Sequence, residues 1–217
     1  MKKLLIPILF ALLPLWGCLK DGTYYAENAQ DIVTVKDDNL VSDNGVTYVV
    51  TENASSNKDW KTEGSRYFMV FDILNAQLDI RIKSLYNIII QEAEPAPTSE
   101  TDLLPTDPVY FYFARLSPHY LDLGLRLYKA EGTECGHEVF FRYQDKGDEI
   151  LDIHIYHNGN GENPVNMEES KLKTENRFYS IPLDDFSATT INVYAHMVGY
   201  DTEGKPVITE QQYSTPR

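Results

Sequence analysis

Apolar residues along most of this chain recur at every second position, and that spacing predicts strands, whose side chains point alternately to opposite faces. Ile32, Val33 and Val35 open the first strand. Residues 46–51 return as its partner after Asp43-Asn44-Gly45, a turn sequence suited to positive φ. A polar loop over residues 52–65 carries Trp60. Residues 66–74 and 80–90 read as two more strands around Asn75-Ala76-Gln77, and the run Ile88-Ile89-Ile90 predicts burial on both faces near its end. Four or five strands in about 60 residues suit a small barrel, whose closure removes exposed edges.

Residues 92–107 break the pattern. Glu94-Pro95-Ala96-Pro97-Thr98-Ser99-Glu100 holds no large apolar side chain and reads as a linker. Beyond it, residues 109–116 alternate Val109, Phe111 and Phe113 against Tyr110 and Tyr112. Residues 120–128 set Leu121, Leu123, Leu125 and Leu127 on one face, with Asp122 and Arg126 on the other. Further strands are predicted over residues 139–143, 150–156, 177–181, 191–198 and 207–213, at the spacing of a sandwich. No apolar helical period persists beyond two turns. The fold class expected is all-β: a small OB-like barrel over residues 31–91, then an antiparallel β-sandwich over residues 108–217.

The N-terminus reads differently. Lys2 and Lys3 precede an apolar run over residues 4–16 that is too short to span a bilayer and is interrupted by Pro7 and Pro14. It ends Leu15-Trp16-Gly17-Cys18, which resembles a bacterial lipobox. The expectation is a signal peptide over residues 1–17, a palmitate-bearing acylated Cys18 and a lipidated tether over residues 18–30. Cys135 is then left without an intrachain disulfide partner.

Charge changes the choice of partner. Over 217 residues the formal charge is −14. Removal of Lys2 and Lys3 leaves 17 basic against 33 acidic residues, a charge of −16. Such a body lacks the basic stripe that binding phosphate needs, which excludes a nucleic-acid partner. An anionic lipid surface repels it as well, so membrane lipid is reached only through acylated Cys18. The expected location is the outer membrane, with surface and periplasmic faces both open.

Lipobox, acidic tether, barrel, linker and sandwich occur here in the order of a known family. With Ile32-Val33-Thr34-Val35, the strand from Arg66 to Leu74, Leu85-Tyr86-Asn87-Ile88 and the sandwich entry Val109-Tyr110-Phe111, the chain resembles the NigD-like lipoproteins of Bacteroidota. The resemblance implies an OB-type N-terminal domain and a C-terminal β-sandwich, and it implies no reaction.

Candidate chemistry is sparse. His154 and His157 lie three apart on a strand and face opposite ways, so they cannot chelate together. Asp152, His154 and Tyr156 share one face, but a metal site there needs a third ligand from a neighbouring strand. No metal and no cofactor is expected. Residues 158–163, Asn-Gly-Asn-Gly-Glu-Asn, place oxygens as a calcium loop does but carry Asn163 where the sharp turn requires glycine, and so read as a plain turn. Cys135 stands among Glu131, Glu134 and Glu138, a setting that disfavours a thiolate. No Gly-x-Ser-x-Gly elbow or phosphate-binding loop occurs. OB-type barrels bind sugars or oligonucleotides on a sheet face, and Tyr48, Tyr67 and Tyr86 with Trp60 above them are the candidate platform. The expected function is a non-enzymatic, lipid-anchored envelope protein that binds or supports an assembly through an unidentified protein or glycan partner. A surface glycan or peptide receptor is the first alternative. A hydrolase using the face around Asp152 and His154 is the second.

Overall fold

The computed structural model describes residues 26–97, 104–132 and 136–216, and within them the regular structure is strand with one 3-10 turn at Glu169–Lys171. The first five strands are β1 (Ala26–Lys36), β2 (Asn39–Ser42), β3 (Thr47–Asn53), β4 (Arg66–Ile73) and β5 (Asp79–Ile90). Asp37 and Asp38, at φ 50° and 64°, form the two-residue turn from β1 to β2. Two short acids suit it because both central residues must adopt positive φ. Gly45, at φ 79°, serves the next turn, where its N–H donates to the Ser42 carbonyl. Strands β1 and β4, β4 and β5, β1 and β2, and β2 and β3 pair antiparallel, while β3 runs parallel to β5, so the five close into a ring. Val33, Val35, Leu40, Met69, Phe71, Ile80 and Ile82 fill its interior.

The remaining strands are β6 (Glu94–Pro95), β7 (Val109–Leu116), β8 (Tyr120–Ala130), β9 (Glu138–Gly147), β10 (Ile150–Asn158), β11 (Leu172–Pro182), β12 (Thr190–Tyr200) and β13 (Pro206–Pro216). The predicted leucine face of β8 packs against β9, β10 and β12. Leu121, Leu123, Leu125 and Leu127 are buried against Phe141, Ile153, Ile155, Ile191 and Val193. Each such leucine contributes about 1.5–3 kcal/mol of transfer free energy. This makes the expected sandwich, with one sheet in the order β13-β12-β10-β9-β6. Two of its ladders, β10 with β12 and β6 with β9, run parallel.

Barrel and sandwich share a sheet. β5 pairs in parallel with β11 at Ile88 and Phe178, giving one eight-stranded order, β3-β2-β1-β4-β5-β11-β8-β7. Parts of the linker region also lie on the second sheet. Glu94 faces Arg142 in a two-residue ladder, the Ala96 N–H donates to the Tyr143 carbonyl at 2.8 Å, and Asp107 donates to His157 at 3.0 Å.

The eight-stranded sheet curls onto itself. Strands β4 and β7 are four steps apart, about 19 Å in a flat sheet. Yet the rings of Phe68 on β4 and Phe113 on β7 lie 5.4 Å apart, and Arg115 of β7 bonds Asp31 of β1 at 2.6 Å. The curl leaves a crease between the outer face of the barrel and the face of β8 opposite its leucines. One departure from simple alternation helps line it. A bulge between Phe111 and Phe113 turns these two rings to opposite sides, whereas alternation alone puts them on one face. Phe111 packs on the sandwich core, and Phe113 packs in the crease.

Candidate functional site

Three of the four aromatics expected to form a ligand platform are core residues. Tyr48, Trp60 and Tyr67 are 7%, 6% and 4% exposed and pack in the barrel interior. The Tyr48 ring meets Phe71 edge-on at 5.0 Å, and its hydroxyl donates to Asp31 at 2.8 Å. Burial, then Asp31, pushes its phenol well above the ordinary range. Register is the physical reason for the correction. Tyr67 lies opposite Asn87 and Phe68 opposite Tyr86, so Tyr67 and Tyr86 point to opposite sides of the barrel wall. Only Tyr86, at 45% exposure, faces outward.

Tyr86 stands in the crease. At its closed end, Arg66 of β4 is 2% exposed and gathers both halves of the molecule. Its guanidinium donates to Asp43 at 2.8 Å, to Asp122 of β8 at 3.0 Å, to Ser180 of β11 at 3.0 Å and to Thr34 of β1 at 2.9 Å. Its plane covers the Tyr120 ring at 3.9 Å. Ser180 donates a short hydrogen bond to Asp122. Burial pushes the Asp122 carboxyl up, and Arg66 opposes the shift. Next come the stacked rings of Phe68 and Phe178, 4.9 Å apart, with Phe113 and Ile88. Gly124 of β8 lies under them, where an added Cβ would sit 2.7 Å from the Phe113 ring.

The other end is open. One row runs Tyr110, Arg126 and Asn176 across β7, β8 and β11, while Tyr86 of β5 pairs with Phe68 of β4 and its ring lies 5.4 Å from that of Phe178 on β11. Tyr110 and Tyr112 are 48% and 47% exposed. The Arg126 guanidinium lies 5.7 Å from each of their ring centres and donates through Nε to the Asn176 amide oxygen at 3.0 Å. Beside this row, Asp31, Phe68, Tyr112, Phe113 and Arg115 line a cavity of about 430 Å³. Tyrosine faces, a guanidinium and an amide at a junction between two lobes are the ingredients of a recognition site. Tyr110, Tyr112 and Arg126 escaped the platform prediction, although alternation had already set them opposite the apolar faces of their strands.

The face around Asp152 and His154 has a different organisation. Asp152 accepts from Asn192 at 2.8 Å and lies 3.5 Å from Lys146. His154 stacks on Tyr194 at 4.6 Å, with its Nδ1 3.8 Å from Glu210. No group of three ligands able to hold a metal forms among the described residues. On the reverse side of β10, His157 is buried, and its Nε2 meets His137 Nδ1 at 3.1 Å. His137 Nε2 lies 3.4 Å from Glu162. His157 Nδ1 has no hydrogen-bond partner among the described residues. Burial, then His137, pushes the His157 imidazole down to about 4. The loop after β10 wraps an anion instead of a cation. Gly159 and Gly161 donate backbone N–H groups to Asp107, and so does the Asn163 amide. Cys18, the proposed lipidation site, and Cys135 lie outside the described residues.

Solved structures share this architecture. A NigD-like immunity protein from Bacteroides caccae aligns over 88% of this chain and 98% of its own, at 20% identity and a TM-score of 0.58. A protein of unknown function from Bacteroides vulgatus aligns over 89% of this chain and 91% of its own, at 18% identity and a TM-score of 0.63. A candidate lipoprotein from Bacteroides fragilis aligns over 88% and 98%, at 13% identity and a TM-score of 0.58. The chain therefore has the NigD-like fold that its sequence resembles. No family model matches the sequence, and no curated protein does.

Proposed function

We propose that this protein is a NigD-like lipoprotein of the cell envelope, held in the outer membrane by acylated Cys18, and that it acts by binding rather than by catalysis. The observation that carries the reading is the open mouth of the crease. There, Tyr86, Tyr110 and Tyr112 stay about half exposed over a buried layer of phenylalanines. Large rings left in solvent on a concave surface mark interaction sites. The five-strand ring with β3 parallel to β5 fits an OB-type barrel, a scaffold for recognition. The lipobox-like Leu15-Trp16-Gly17-Cys18 supports the anchor, as does the likeness to a candidate lipoprotein.

The test is a photocrosslinking residue at position 112 in the full chain expressed in cells. The expected result is a discrete covalent adduct that is absent when the same probe replaces Tyr200, which is 69% exposed and outside the crease. No adduct at position 112, or the same pattern at both positions, overturns the reading. Cys18→Ala is expected to move the protein from the membrane fraction to the soluble one. Protease shaving of intact cells then decides which side of the membrane it faces.

A further inference from the structure

The crease mouth holds a cation that no described acidic side chain pairs with. In a chain of charge −14, the Arg126 guanidinium makes no ion pair among the described residues, and its one hydrogen bond is to the neutral Asn176 amide. Arg66, on the same face, is saturated by Asp43 and Asp122. Arg115 of β7 is closed by Asp31. At Arg126 the Nε contact fixes the plane of the fork and leaves the Nη donors for a ligand. Such a planar fork matches a carboxylate through two parallel hydrogen bonds.

We propose, building on the reading of the crease as a binding site, that its mouth recognises a carboxylate-bearing sugar of the uronic acid type. Arg126 takes the carboxylate, and the half-exposed Tyr110, Tyr112 and Tyr86 take the faces of the pyranose rings. Charge complementarity selects the anion, because no acidic side chain pairs with Arg126 to compete with it among the described residues. The surroundings select the sugar. Ring faces offer flat apolar contact, and the Asn176 amide with the tyrosine hydroxyls supplies both donors and acceptors for ring hydroxyls. The Asn176 side chain is also placed to report occupancy, because it already contacts the guanidinium.

Ligand-observed NMR on the mature protein tests this with three probes: methyl glucuronide, methyl glucoside and N-acetylglutamate. The glucuronide is expected to bind at least tenfold more tightly than the neutral glucoside. Arg126→Gln is expected to abolish that preference, and Arg126→Lys to restore only part of it because an ammonium lacks the fork. Equal binding of glucoside and glucuronide, or unchanged glucuronide binding by Arg126→Gln, overturns the proposal. N-acetylglutamate binding as tightly as glucuronide overturns the sugar assignment. Binding of none of the three overturns the whole inference. The crosslink at position 112 separately decides whether the crease binds anything, so the two failures are distinguishable.

Discussion

Two arginines on one face of one sheet live in opposite circumstances. Arg66 is 2% exposed, lies 3.9 Å over Tyr120 and is surrounded by Asp43, Asp122, Ser180 and Thr34. Arg126 lies 5.7 Å from Tyr110 and Tyr112 in a half-buried position, with the Asn176 amide as its one hydrogen-bond partner among the described residues. A guanidinium taken fully out of water must bring its counter-ions and hydrogen-bond acceptors along, because an uncompensated buried charge costs several kcal/mol. A guanidinium at a solvent-filled mouth carries no such debt and remains available. Arg66 therefore ties barrel to sandwich, and Arg126 is the guanidinium proposed to meet a ligand. His157 shows a third solution: it is buried against His137, Asp107 only partly opposes the effect of that burial, and it stays neutral.

The comparison breaks most visibly at Arg66. Arg66→Leu leaves Asp122 buried beside Asp43 without a cation, and urea unfolding should show a loss of about 3–5 kcal/mol. A loss below 1 kcal/mol would mean that the closed end is not held by charge. Next is the ring layer between the two arginines. Gly124→Ala drives a methyl into the Phe113 ring, 2.7 Å from the new Cβ, with an expected cost of about 1–3 kcal/mol by the same measurement.

The neutral histidine predicts a pH effect of definite sign. Its folded value of about 4 lies below the unfolded 6.5, so between those values the unfolded chain binds more protons. Its contribution to stability is complete above pH 6.5 and is lost as pH falls toward 4, by about 1 kcal/mol over the first unit. Melting curves recorded from pH 7 to pH 5 check this. His157→Gln should flatten that dependence, and an unchanged slope would assign it to other groups. The smallest effect sharpens the contrast most. Arg126→Gln should change stability by no more than about 0.5 kcal/mol, as expected for a half-exposed side chain without a buried partner. A cost comparable to that of Arg66→Leu would make Arg126 a second structural tie and remove the basis for a ligand site.

Strand positions were legible because alternation is local. The leucines of β8 and the Asp43-Asn44-Gly45 turn need only neighbours in sequence to be recognised, whereas the bulge that sends Phe111 and Phe113 of β7 to opposite sides does not show in alternation. The same alternation already set Asp122 and Arg126 opposite the leucines. It could not distinguish their fates, since both lie on the polar side of one strand, four residues apart. What separates them is the curl that brings β4 and its Arg66 over Asp122 and leaves Arg126 at the mouth, a relation between residues 56 apart in sequence. Tyr67 and Tyr86 make the same point. Each looks like a strand tyrosine, and only the register of β4 on β5 sends one into the barrel and the other into the crease. Chain-local physics determines which residues form strands and which faces are apolar. Which polar face meets protein and which meets water is decided by long-range pairing and sheet curvature, because burial belongs to the pair of surfaces that touch and not to either one alone.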